Sequence, residues 1–178
     1  MEKDSLLTLS EKIVDLGEVL EETDEQLDPH KIRKATLQLR EIGDQLLDLE
    51  AKTSGDDLAY VRFMLGSVCQ LLNYHVNAIE AYQNALEHWP DHVGIINELF
   101  HSQIEMGMYS DALTTIQRSI KTGGETPDVL HNLAITLVHL DRLAEAKTVL
   151  FNCISKFPDD AESNRLLREL DAYPVAKN

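Results

Sequence analysis

The chain has 178 residues, 43% of them hydrophobic, with 8 glycines and 5 prolines. That is enough for a well-buried domain and too little turn chemistry for a sandwich or a collagen-like chain. A formal net charge of -15, with its acidic excess shared by both halves and no basic stripe, argues against binding a nucleic-acid phosphate backbone. No apolar run approaches the roughly 18 residues of a membrane span, and the N-terminal stretch alternates charged and apolar residues unlike a secretory leader. A cytoplasmic location is expected. Cys69 and Cys153 lack a CxxC or Cys/His partner at ligand spacing, and read as buried thiols of a reducing compartment.

From Ser5 onward, Leu6, Leu9, Ile13, Leu16 and Leu20 step by threes and fours. After an acidic loop, Glu21 to Asp28, the set Ile32, Ala35, Leu39, Ile42, Leu46 and Leu49 does the same. Both stretches predict helices with a heptad seam. Asp28-Pro29 starts the second helix, the aspartate as cap and the proline at the first helical place. Leu7, Val14, Val19, Leu37 and Leu47 lie beside the seam and widen the apolar stripe beyond what one partner helix covers. Residues 1–55 therefore read either as an antiparallel hairpin that covers the next element or as an arm through which two copies form a homodimer.

From residue 59 a pattern returns every 34 residues without insertion, in units 59–92, 93–126 and 127–160. The seventh place holds Leu65, Leu99 and Leu133; the eighth, Gly66, Phe100 and Ala134; the twentieth, Ala78, Ala112 and Ala146. The twenty-fourth holds Tyr82, Ile116 and Leu150, and the twenty-seventh Ala85, Ser119 and Cys153. Each unit predicts two helices, A and B. The turn between them falls on Asn73, Gly107 and Asp141, residue types that accept a left-handed backbone at a helix end. Trp89-Pro90 and Phe157-Pro158 end helix B with an aromatic able to fold back on the stack. The middle unit ends on Gly123-Gly124, as a cap or a hinge, before Thr126-Pro127 restarts the chain as cap and first helical residue. Ala161 to Leu170 begins one more helix, with Leu166, Leu167 and Leu170 inward and Arg165, Arg168 and Glu169 outward, as a terminal cap requires. It stops near Tyr173-Pro174, and a mobile tail is expected beyond.

This pattern resembles the tetratricopeptide repeat family, whose small-large-small signature is carried most plainly by Gly66, Ala78, Tyr82, Ala85 and Pro90. It departs from the family in placing Arg62, Ile96 and Leu130 where helix A usually has tryptophan. The resemblance implies an all-α fold: a right-handed α-solenoid of three helix pairs over 56–160, with an N-terminal helical hairpin (1–55) and a C-terminal capping helix and tail (161–178).

In that family the concave surface comes from the second, fifth, sixth, ninth, twelfth and thirteenth places of helix A. The resemblance places Tyr60, Phe63, Met64, Ser67, Gln70 and Leu71 there from the first unit, and Gly94, Asn97, Glu98, His101, Ile104 and Glu105 from the second. The third supplies Asp128, His131, Asn132, Ile135, Val138 and His139. The implied groove has an apolar end and a polar, weakly acidic end. Tyr60, Phe63, Met64 and Leu71 would be anchors for a partner's apolar side chain, or core if the hairpin covers them. Co-chaperones of the family hold a C-terminal carboxylate with lysine, arginine and asparagine. Here the matching places have Phe63, Ser67, Glu98, Asp128 and Asn132, so that role is rejected for want of positive charge.

No glycine-rich phosphate loop, GxSxG elbow or HExxH occurs. The expected function is a non-catalytic adaptor that binds a protein or peptide in the groove, without cofactor or metal. Two alternatives stand beside it: a chaperone for translocator proteins of the bacterial type III system, on architectural resemblance, and a metal- or ligand-dependent regulator using His101, His131 and His139.

Overall fold

A computed structural model describes residues 3–21 and 28–172. The expected acidic loop and C-terminal tail fall outside the described residues. The helices are α1 (Lys3–Glu21), α2 (Pro29–Glu50), α3 (Gly55–Leu71), α4 (His75–Leu86), α5 (Val93–Glu105), α6 (Tyr109–Gly123), α7 (Pro127–His139), α8 (Leu143–Lys156) and α9 (Ala161–Ala172). Among the described residues there is no strand.

Local chemistry accounts for the helix boundaries. The Asp28 side chain accepts from His30 N at 2.9 Å, and Thr126 Oγ1 accepts from Val129 N at 3.3 Å, each just before a proline that opens the helix. All three A-to-B turns place one residue in the left-handed region: Asn73 at φ +59°, Gly107 at +68° and Asp141 at +57°. Glycine, asparagine and aspartate tolerate this conformation best, so one 34-residue template turns at the same place three times.

The chain packs as two units, residues 1–102 and 103–178. In the first, Leu6 and Ile13 of α1, Leu39, Ile42 and Leu46 of α2, and Val61, Met64, Leu65 and Val68 of α3 make one core. The helices α1 and α2 thus pack on the first helix of the first repeat. A second cluster joins Ala78, Ile79, Tyr82, Ala85 and Leu86 of α4 to Ile95, Ile96 and Leu99 of α5. Gly66 permits the α3–α4 approach, since a Cβ there would stand 2.4 Å from Tyr82 Cε1. At the place where the family usually has tryptophan, Arg62 ties three elements: its guanidinium lies 3.0 Å from Glu50 Oε1 and donates to Asn84 O at 3.2 Å.

In the second unit, Ala134 of α7, Leu150 of α8 and Leu167 of α9 form a core joined by Val149, Ile154, Leu166 and Leu170. The α9 helix is capped by Asp160, whose Oδ2 accepts from Ser163 N at 2.9 Å. Ser163 Oγ lies 3.3 Å from Cys153 Sγ. Both cysteines are free thiols; Cys153 is buried and Cys69 only half-buried, and burial raises both thiol pKa values. Arg165, Arg168 and Glu169 are exposed, as the cap reading requires.

Candidate peptide-binding surface

The α1 helix lies against α3 on the face that the repeat register assigns to ligand binding. Gly17 comes so near that an added Cβ would stand 3.3 Å from Leu71 Cδ2. Met64 is 1% exposed within the core that α1 and α2 complete, and Leu71 packs against the same core. Of these two expected groove anchors, Met64 is thus buried under the hairpin and Leu71 half-buried, and both border the cavity at the hairpin's edge. Phe63, Ser67 and Gln70 remain at the edge of the cover. With Glu98 of α5 and Ser10, Val14 and Glu18 of α1, they line a cavity of about 330 Å3. Val14, on the outer flank of α1, is 58% exposed.

A hydrogen-bond network fixes the polar floor. Tyr82 Oη and Ser102 Oγ donate to Gln70 Oε1 at 2.9 and 3.1 Å, and Gln70 Nε2 donates to Glu98 Oε2 at 3.0 Å. Tyr82 and Ser102 are fully buried. Burial, the largest cause, holds the Tyr82 hydroxyl well above the usual phenol range, and the nearby Glu98 carboxylate adds to this against the opposing Ser67 contact. The hydroxyl thus stays a donor, Gln70 is oriented by two donors, and the Glu98 carboxylate is held facing the cavity.

Tyr60 and Phe63 join Trp89 and His92 in a ring cluster. The Tyr60–Phe63 centroids are 6.3 Å apart, Phe63–His92 6.4 Å, His92–Trp89 5.8 Å and Trp89–Tyr60 6.4 Å. Trp89 folds back from the end of α4, as expected, and its Nε1 donates to Asp56 Oδ1 at 2.9 Å. On the same α5 face as Glu98, Asn97 is half-buried, and the exposed His101 sits edge-on to Phe100 at 5.3 Å.

The second unit carries the other expected residues. Ile104, Asn132 and Ile135 are half-buried and Asp128 is exposed. His131 Nε2 lies 4.0 Å from Glu162 Oε2 of the capping helix, while its buried Nδ1 has no hydrogen-bond partner among the described residues. His139 stacks flat on Tyr109, with centroids 4.3 Å apart and an interplanar angle of 3°. Among the described residues no three His, Cys, Asp or Glu side chains converge as a metal site.

No protein-family model and no curated protein matches the sequence. Solved structures do. YrrB, described as a TPR protein with an unusual peptide-binding site, is 18% identical, with TM-score 0.65 over 93% of this chain and 86% of that one. The chain has the tetratricopeptide-repeat fold. MamA RS-1 matches at 13% identity and TM-score 0.67, over 89% of this chain and 84% of its own. The first TPR of Spaghetti (RPAP3), bound to the HSP90 peptide SRMEEVD, matches at 15% identity and TM-score 0.58, over 64% of this chain and 90% of that one.

The sequence offered the hairpin's covering of this face of the tetratricopeptide-repeat fold as one of two readings without singling out α1, and it did not reveal His92 in the ring cluster. Gly17 was the available signal for the first. Glycine inside a helix costs about 1 kcal/mol relative to alanine, which a close neighbour can justify. For the second, the sequence held only one tryptophan beside a Pro-Asp-His run.

Proposed function

We propose that this protein is a non-catalytic adaptor that holds a peptide or helix of a partner protein on the inner face of its first repeats. The observation that carries the reading is the cavity between α1, α3 and α5, where exposed Val14 and half-buried Phe63 flank a polar floor of Ser67, Gln70 and Glu98. Apolar flanks with oriented polar groups between them suit a peptide, whose side chains need the former and whose backbone needs the latter. The peptide-bound RPAP3 repeat and the peptide site named for YrrB support binding as the use of such a fold. The partner differs from a carboxylate-terminated chaperone tail, since Phe63, Ser67 and Glu98 stand where cations and amides would be required.

Selection of peptides from a display library, followed by titration against Val14→Glu and Ser67→Glu, tests this reading. Selected peptides should lose about tenfold or more in affinity for both variants at unchanged melting temperature, as contact residues near a site's centre do. Peptides that bind both variants like the wild type would remove this face from the account.

Self-association through the hairpin is a second reading, favoured by Leu37 and Leu47 of α2, which are exposed although the seam beside them is buried. Light scattering of the full chain and of Leu37→Glu with Leu47→Glu should give a dimer and a monomer respectively; equal masses would end it.

A further inference from the structure

We infer that the ring cluster around the α4–α5 connection is a cation site that receives the arginine side chain of a partner segment. Tyr60, Phe63, His92 and Trp89 form a closed circuit, each ring within 6.4 Å of the next. With Pro90 and Asp91 they line an open depression of about 590 Å3 that has no lysine or arginine among its lining residues.

Three features set the chemistry. Aromatic faces attract a cation through their quadrupole, most strongly tryptophan. The Trp89 indole N–H is already given to Asp56, so its donor is occupied and a carboxylate is fixed at its edge, while the ring, stacked on His92, lines the depression. His92 Nδ1 accepts from Ile95 N at 3.2 Å, which fixes the orientation of the imidazole as the fourth ring of the circuit. Asp91, exposed at the rim, supplies the counter-charge. Arginine fits such a place better than lysine, because its planar guanidinium can stack on a ring while two N–H groups meet a carboxylate. The formal net charge of -15 favours approach of a basic segment.

The inference rests on the reading of this face as a partner surface, and its test is independent of any selected peptide. Trp89 is the single tryptophan of the chain, so its emission reports this site alone. The full chain is titrated with N-acetyl-arginine amide at constant ionic strength, beside the lysine amide and the neutral citrulline amide. The arginine probe should give a saturable change with a dissociation constant on the order of tens of millimolar, as expected for one exposed cation on rings and a carboxylate. The lysine probe should bind more weakly, and the citrulline probe should give no saturable change. Asp91→Asn, at an exposed position, should weaken the arginine probe about threefold or more, with the circular-dichroism spectrum unchanged. A flat arginine titration, an equal response to citrulline, tighter binding of lysine, or an Asp91→Asn variant indistinguishable from wild type would overturn the inference. If the arginine probe fails while Val14→Glu still abolishes peptide binding, the cation site alone falls; if that variant has no effect while arginine binds, the broader reading falls instead.

Discussion

The two units close their outermost repeats by different means. In the first, the 19-residue α1 and 22-residue α2 place Leu6, Ile13, Leu39, Ile42 and Leu46 in one core with α3. In the second, the 12-residue α9 buries Ser163 and Leu167 and turns its charges to water. A helix that ends a stack must be apolar on one face and polar on the other, and a short one with a single seam suffices. The hairpin does more: its first helix runs over the face of α3 that carries Met64 and Leu71, burying the first and half-burying the second. The lesson is that a terminal element can set which part of a repeat surface stays free.

The largest expected effect probes this asymmetry directly. Leu39→Ala, at a side chain with 0% exposure, should cost about 2 to 5 kcal/mol in urea unfolding, and Leu167→Ala, at 9%, should fall at or below the lower end of that range. Equal losses would show that α9 contributes as much packing as the hairpin.

Next in size is the interlock between helices. Gly66→Ala drives a methyl into the Tyr82 ring and should cost about 1 to 3 kcal/mol. The third repeat already pairs Ala134 with Leu150 at these places, both buried in one cluster. Gly66→Ala combined with Tyr82→Leu should therefore cost less than the sum of the two single changes. A strictly additive cycle would mean that the two positions do not share a contact.

A smaller effect is expected at the helix caps. Thr126→Ala removes the acceptor for Val129 N and should cost about 1 kcal/mol, with Asp28→Ala similar, as measured by the shift of the urea midpoint.

The smallest and most discriminating test is pH. Folding raises the Tyr82 pKa, chiefly by burial, so its contribution is complete below the unfolded phenol value of about 10 and is lost as pH rises through the folded value. Folding lowers the Asp160 pKa, chiefly through the Ser163 hydrogen bond, so its contribution is present above the unfolded value of about 4 and is lost as pH falls through the folded one. Tyr82→Phe should flatten the alkaline limb of a stability–pH profile, and Asp160→Asn the acid limb. Either substitution acting on the opposite limb would contradict these assignments.

The periodic features were legible in the sequence because they depend on neighbours along the chain. The 34-residue register, the left-handed turns at Asn73, Gly107 and Asp141, the caps at Asp28 and Thr126, and the Gly66–Tyr82 pairing all follow from residue type at fixed spacing. Spacing likewise placed Leu166, Leu167 and Leu170 toward the stack. The tertiary structure alone decided that Met64 is core with Leu71 half-buried against it, that Val14 and Glu18 border the cavity, and that Trp89 returns to Asp56 to close a circuit of rings. Two heptad-patterned helices are equally apolar whether they meet a repeat or a second copy. Which surface they cover depends on contacts between different helices, such as Gly17 with Leu71 and Gly43 with Val68, and no local periodicity encodes these.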